Sequence, residues 1–257
     1  MTRRQENLQR LVLGLLSLTV FLVLWEASVR LLKIPSILLP APSAVLKEMV
    51  SEWRWYADHA LYTLATTLAG FALAAVVGVL IATALVGSKS FEHTAYPLII
   101  GLNSVPKVAI APLFVIWLGT GAEPKIAIAF LISIFAVIVD SVHGLRSVPQ
   151  DVLDLGRVLR GSRWDFFFKV RLPAALPSIL AGLKVAISLA LVGAIVGEFV
   201  ASQKGLGYVI LTAQGTFDTT RVFAAVILLA LLGLALYGAL AWVERRLTAW
   251  RHLGRLC

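Results

Sequence analysis

Charge is scarce in this chain. Asp, Glu, Lys and Arg make up 14% of its 257 residues, against about 25% in an average globular protein. Apolar residues take the vacated share, reaching 59% with a mean hydropathy of +0.89. That balance excludes an ordinary water-soluble domain. Cysteine is almost missing: Cys257, the last residue, stands alone, so there is no disulfide framework and no cysteine metal cluster. His59, His93, His143 and His252 are scattered, and no H-E-x-x-H pattern places two of them on one helix face. The phosphate-cradling pattern G-x-x-x-x-G-K-[ST] is also missing, because "GSKS" at Gly87–Ser90 has its glycine and lysine at the wrong spacing. No strand–G-x-S-x-G–helix nucleophile occurs. No internal repeat is visible, which withholds support from the inverted-repeat design of many secondary transporters. The sequence therefore holds no catalytic constellation.

What is present is a series of long apolar runs. A membrane-crossing helix needs roughly 20 largely apolar residues, and six stretches meet that need: 11–32, 61–86, 94–118, 126–142, 176–200 and 222–243. They predict an all-α polytopic membrane protein with about six transmembrane helices. The basic N-terminal stretch before the first run has the charge order of a signal peptide, but no small-residue cleavage site follows, so it reads as a retained span. Gly70 and Gly78 mark close helix contacts in the second run. Pro97, Pro106 and Pro112 interrupt the third. Six spans put both termini on one side. With that side cytoplasmic, fourteen Lys and Arg fall inside and seven outside, which obeys the positive-inside rule. The same rule accounts for the net charge of +9 without nucleic acid. Between the first two runs, a short amphipathic helix opens at Ser43, and Trp53, Trp55 and Tyr56 suit the membrane–water boundary.

One segment is basic and rich in turn signals, "SVPQDVLDLGRVLRGSRWDFFFKVRLPAALP", Ser147–Pro177. Ser147 with Gln150 has the spacing of a capping box, and Pro149 fits a first helical turn. Val152, Leu155 and Leu159 then recur at helical spacing. Gly161 can end that helix, Ser162 with Asp165 can open another, and Pro173 marks the turn back to the membrane. Two short helices joined by a glycine elbow, with apolar and basic side chains mixed, read either as a protein-docking surface or as a loop on anionic lipid.

The segment resembles the "EAA" signature of ATP-binding-cassette (ABC) importer permeases. Asp154, Leu155 and Gly156 take the places of the acid and two small residues, and Val170, Leu172 and Pro173 take the hydrophobic-x-Leu-Pro ending. Arg160 stands where the family has glycine, and the glycine is displaced to Gly161. "LLPAPSAVL" (Leu38–Leu46), "VPKVAIAPLFVIWLGTG" (Val105–Gly121), "LPAALPSILAGLKVA" (Leu172–Ala186) and "GEFVASQKGLGYVI" (Gly197–Ile210) extend the resemblance through nearly the whole chain, toward permeases of the nitrate, sulfonate and taurine type. The resemblance implies a single permease domain over 1–257, with its core at 59–247 and a cytoplasmic coupling segment at 144–173. It implies that Asp154, Leu155, Gly156, Arg160, Gly161, Ser162, Arg163 and Pro173 couple the chain to a separate cytoplasmic ATP-binding subunit. ATP and Mg would be bound there rather than here. The other implied partners are a second copy of the permease, forming a homodimer, and an extracytoplasmic substrate-binding protein. Both termini would face the cytoplasm of a bacterium, across its inner membrane.

Ionisable residues inside spans are costly and therefore functional suspects. Asn103 and Lys107 flank Pro106 in the broken third run, which either lines a path or packs as a kink. Lys184 and Glu198 share the fifth run but stand about 21 Å apart along a helix, too far to pair. Lys184 reads as a residue reaching toward the inner interface or facing the path. Glu198 reads as a gate or docking contact near the outer end, or as an interfacial carboxylate beside a glycine-bearing loop. Spans three to five would form most of the path of a small solute, with a sulfonate, nitrate or other organic anion expected. The rival function is a carrier driven by an ion gradient.

Overall fold

The computed structural model describes residues 3–158 and 162–248, with the side chains of 3–8, 10, 11, 155–157 and 163 outside the description. Among the described residues the secondary structure is helical throughout, with no strand. The helices are α1 (Arg3–Leu31), α2 (Pro42–Ser51), α3 (Trp53–Gly87), α4 (Lys89–Ser104), α5 (Ala111–Leu118), α6 (Glu123–Arg146), α7 (Gln150–Val158), α8 (Arg163–Phe166), α9 (Leu172–Ala201), α10 (Leu206–Gly215) and α11 (Thr219–Leu247). A 3₁₀ turn, Lys107–Ile110, joins α4 to α5, and a wide π turn, Phe167–Arg171, joins α8 to α9.

Five helices are long and apolar enough to cross a membrane, and the bent pair α4–α5 meets the same test together, as a broken span or a re-entrant loop. The six apolar runs of the sequence thus correspond to five such helices and the bent pair. Half of the apolar window in the α9 span is buried, against 39% in α6 and only 6% in α1. The bundle is therefore built around α6 and α9, flanked by α3, with α1 turned to lipid.

Small residues make this centre possible. In a bilayer, helices associate through close packing and polar contacts rather than through release of water, so interfaces favour glycine and alanine. Ala129 of α6 is gripped from both sides. A Cβ built on Gly70 of α3 would lie 2.5 Å from its side chain, and one built on Gly193 of α9 would lie 2.6 Å from its Cα. Gly78 meets Val137 in the same way one step along. Both glycine contacts expected in the second run are present.

Outer helices are bolted on by polar contacts. Glu26 of α1 accepts from the Ser43 amide at 3.0 Å and the Ser43 hydroxyl at 2.7 Å, which ties α1 to the start of α2. Arg221 of α11 holds Glu48 of α2 at 2.9 Å, and Thr219 donates to the Ile37 carbonyl at 2.6 Å. Trp53 is exposed as an interfacial ring should be. Tyr56, by contrast, is buried among Val45, Leu191 and Leu206, because α3 begins at Trp53 and its first turns already face the bundle.

Candidate functional site: coupling insert, broken helix and end clamp

The insert between α6 and α9 forms helices, but not with the caps its sequence spacing predicts. The Ser147 hydroxyl donates back to the Gly144 carbonyl at 2.7 Å, closing α6, instead of opening α7. Asp165 goes to Lys169 at 2.6 Å. Pro173 does not turn the chain either: it lies in the first turn of α9, where its missing N–H costs little, and the π turn carries α8 directly into α9. The stretch Trp164–Ala201 is one continuous helical path. Val148 and Leu145 are buried, and Phe167 packs on the core cluster that holds Leu145, so the insert has a firm root. Its outward side mixes charge with large apolar groups: Val158 is 78% exposed, Trp164 71% and Phe168 56%, beside the exposed Asp165–Lys169 pair. Trp164 and Phe168 stack with ring centroids 6.1 Å apart. Of the coupling residues read from the sequence, Asp154 lies in α7 and makes contacts of its own. The backbones of Leu155 and Gly156 continue that helix, Ser162 precedes α8, Arg163 begins it, and Arg160 and Gly161 lie outside the described residues.

The third span breaks at Pro106, and its two halves are bent by 81°. Pro97 sits inside α4 and Pro112 in the first turn of α5, where proline is tolerated, so only Pro106 interrupts the helix. The Lys107 ammonium folds back onto Asn103, donating to its backbone carbonyl at 3.3 Å and to its side-chain oxygen, and lies 5.9 Å from the centre of the Phe135 ring. Among the described residues no carboxylate pairs with it. Helix α4 buries none of its residues.

Lys184 is different. It does not stand free: its ammonium meets Glu244 near the C-terminal end of α11 at 2.5 Å, with Tyr237 beside it. Both partners are largely shielded, so each charge depends on the other. Replacing either alone, Lys184→Met or Glu244→Gln, should destabilise the protein more than replacing both. A thermal-unfolding double-mutant cycle in detergent should give a coupling of about 1–2 kcal/mol.

At the far end of α9 the structure assembles a buried polar clamp that the sequence does not announce. Glu198 is 0% exposed, so it does not face the surface of this chain as a gate or docking residue would. It accepts from the Thr63 hydroxyl at 2.8 Å and from the Gly207 amide at 2.7 Å. Thr63 accepts from the Leu206 amide at 2.9 Å, and His59 Nδ1 from the Gly205 amide at 3.0 Å. Three successive amides at the start of α10, where a helix leaves N–H groups without partners, are thus taken by side chains of α3 and α9. Lys125 is also 0% exposed. It donates to the carbonyls of Thr120 and Gly121, each at 2.7 Å, and to that of Ala201 at the end of α9. The segment after α9, read as a glycine-bearing loop, contains α10 because these distant side chains cap it.

Five helices long and apolar enough to cross a membrane, a bent pair broken at proline and a rooted insert between α6 and α9 define a polytopic helical membrane protein. Comparison with known proteins agrees. The riboflavin transport system permease protein RibX of Chloroflexus aurantiacus is 35% identical, over 96% of this chain and 94% of its own. The formylaminopyrimidine transport permease protein ThiX of Halalkalibacterium halodurans is 33% identical over 90% and 93%, and the putative aliphatic sulfonates transport permease protein SsuC of Bacillus subtilis 31% over 93% and 87%. The fold is shared with a chain of the inward-facing MetNI methionine ABC transporter, with a TM-score of 0.68 at 17% identity, covering 77% of this chain and 98% of that one. Residues 74–249 match the binding-protein-dependent transport system inner membrane component family, to which the chain belongs. It is an ABC importer permease, and ATP hydrolysis belongs to a separate subunit.

Proposed function

We propose that the chain works as one of two identical permease subunits that carry a small organic anion inward by ATP-driven alternating access. The observation that carries this reading is the rooted insert. Its exposed Val158, Trp164 and Phe168 stand on α7, α8 and the π turn, and α8 runs on without a break into the central helix α9. A push on that surface must move the bundle. The insert segment 144–173 is then the surface for a cytoplasmic ATP-binding subunit, which holds ATP and Mg, and both termini share its side of a bacterial inner membrane. An extracytoplasmic binding protein would meet the opposite end. The unburied α4 supports contact with a second copy, with the two broken spans facing each other across the path.

The anion reading rests on Lys107. With Lys184 neutralised by Glu244, Lys107 is the cation left at the break, beside Asn103 and Pro106. The named cargoes of the relatives span riboflavin, formylaminopyrimidine and aliphatic sulfonates, so anion preference is read from this chain's own side chain. Lys107→Gln should lower uptake of a sulfonate probe about tenfold, the loss expected for one charge-assisted hydrogen bond, and leave ATPase association intact. Unchanged uptake would remove the anion assignment.

The permease reading itself is tested by purifying the tagged chain from native membranes in mild detergent and assaying ATP hydrolysis in the eluate. Co-purifying hydrolysis is expected. A chain that elutes without it, yet transports, would overturn the reading.

A further inference from the structure

We infer that Lys125 and Glu198 are positioning residues that lock two loops into one rigid platform at the end of α9 remote from the insert, and that α9 carries movement between that platform and the coupling surface. This inference rests on the side assignment proposed above.

The geometry of the clamp is what a rigid joint requires. A buried charge is tolerated only when its hydrogen-bonding capacity is met. An ammonium has three protons, and Lys125 meets three carbonyls: Thr120 and Gly121 on the loop before α6, and Ala201 at the C-terminal end of α9. Positive charge is favoured at a helix C-terminus and negative charge at an N-terminus. Glu198 supplies the second half of that arrangement, bound to the Gly207 amide in the first turn of α10. Neither loop can move alone without stripping partners from a wholly buried charge. No slack is left around them. A Cβ on Gly197 would lie 2.9 Å from the Lys125 Cα, one on Gly207 would lie 2.8 Å from the Glu198 carboxylate, and Gly205 holds φ +108 directly against that carboxylate. Such a φ is open to glycine and strained for other residues.

From this joint, α9 extends 30 residues to Leu172, about 45 Å at 1.5 Å per residue, and continues through the π turn into α8. Its inner face is fixed to α6 by the Gly193 contact with Ala129. The Pro106 break is held more loosely: Val105 and Val108 beside it are exposed and α4 buries none of its residues, its Glu92–Arg146 ion pair lying at the helix's other end. Motion therefore falls at the break, while platform, α9 and insert move as one piece.

The single cysteine makes the test direct. In a Cys257→Ser background, nitroxide labels are placed singly at Thr120 and Gln203, both exposed, in the complex purified with its ATPase. Trapping with ATP and vanadate should change both label spectra together. In Lys125→Met and Glu198→Gln the two responses should separate, with ATP hydrolysis still co-purifying because the insert is untouched. Hydrogen exchange at the amides of 205–207 should quicken about tenfold or more. Thr63→Val, which removes the hydroxyl's hydrogen bonds to Glu198 and the Leu206 amide but no charge, should give a smaller shift of the same kind if the charge variants fail to fold. Labels that keep responding in parallel after exchange has quickened would overturn the inference, as would labels that respond independently in the parent. A membrane-impermeant thiol reagent on Gln203→Cys in intact cells checks the side separately. Labelling from the cytoplasmic face alone would defeat the side assignment.

Discussion

Replacing Trp164 and Phe168 together by glutamate should abolish transport and remove most of the co-purifying ATP hydrolysis, while the permease itself unfolds at nearly the same temperature. The two rings stack on each other at the outer side of the insert and are mostly exposed. They contribute little to the bundle, whose root at this end is Val148, Leu145 and Phe167. Exposed aromatic residues of this kind carry much of the energy of protein contacts, with losses of about 2 kcal/mol or more on truncation at the strongest positions. Two such losses, with two added carboxylates, correspond to a drop in ATPase affinity of several hundredfold or more. Retained hydrolysis together with lost transport would instead place the coupling contact elsewhere on the insert.

The second large effect is on folding. Gly193→Leu should leave little folded protein, and Gly193→Ala alone should lower stability by about 3 kcal/mol or more, at the upper edge of ordinary overpacking costs. An added Cβ would meet the Ala129 Cα at 2.6 Å, the Ile128 carbonyl at 2.9 Å and the Ala129 nitrogen at 3.0 Å. All three are backbone atoms of the central helix and cannot rotate away. Gly70 clasps the same alanine from α3, so the strain cannot be relieved by shifting α6 to the other side. Gly238→Ala is the control, because nothing lies within 4 Å of its added methyl group, and it should change stability by no more than about 0.5 kcal/mol. Fluorescence-detected thermal unfolding in detergent compares the variants.

The spans and the glycine contacts were legible because they are local facts. A long apolar run must cross or be buried, and Gly70 and Gly78 lie on one helix at a spacing that repeats. The break at Pro106 was legible for the same reason. What escaped depends on partners distant in sequence. Lys184 finds Glu244 sixty residues on, and Gly205 and Leu206 are capped by His59 and Thr63 from a helix that precedes them by more than 140. No local pattern encodes such pairs, so the start of α10 passed for loop. The insert was misread at its caps because neighbouring groups compete for the same side chains. Ser147 chose the Gly144 carbonyl, and Asp165 chose Lys169. One signal for the clamp was present: a glutamate deep in an apolar run, followed by two glycines in "GEFVASQKGLGY", is costly unless backbone amides approach it closely.

The central claim is that ATP spent by a partner, and no ion gradient, moves solute through this chain. The direct measurement uses the complex purified with its ATPase and binding protein, reconstituted in proteoliposomes and supplied with a radiolabelled sulfonate or riboflavin probe. ATP is placed on the insert side, and ionophores collapse every gradient. Accumulation against the probe's own gradient should persist with ionophores present and stop on addition of vanadate. Accumulation that ignores ATP and vanadate but vanishes with the ionophores would contradict the account.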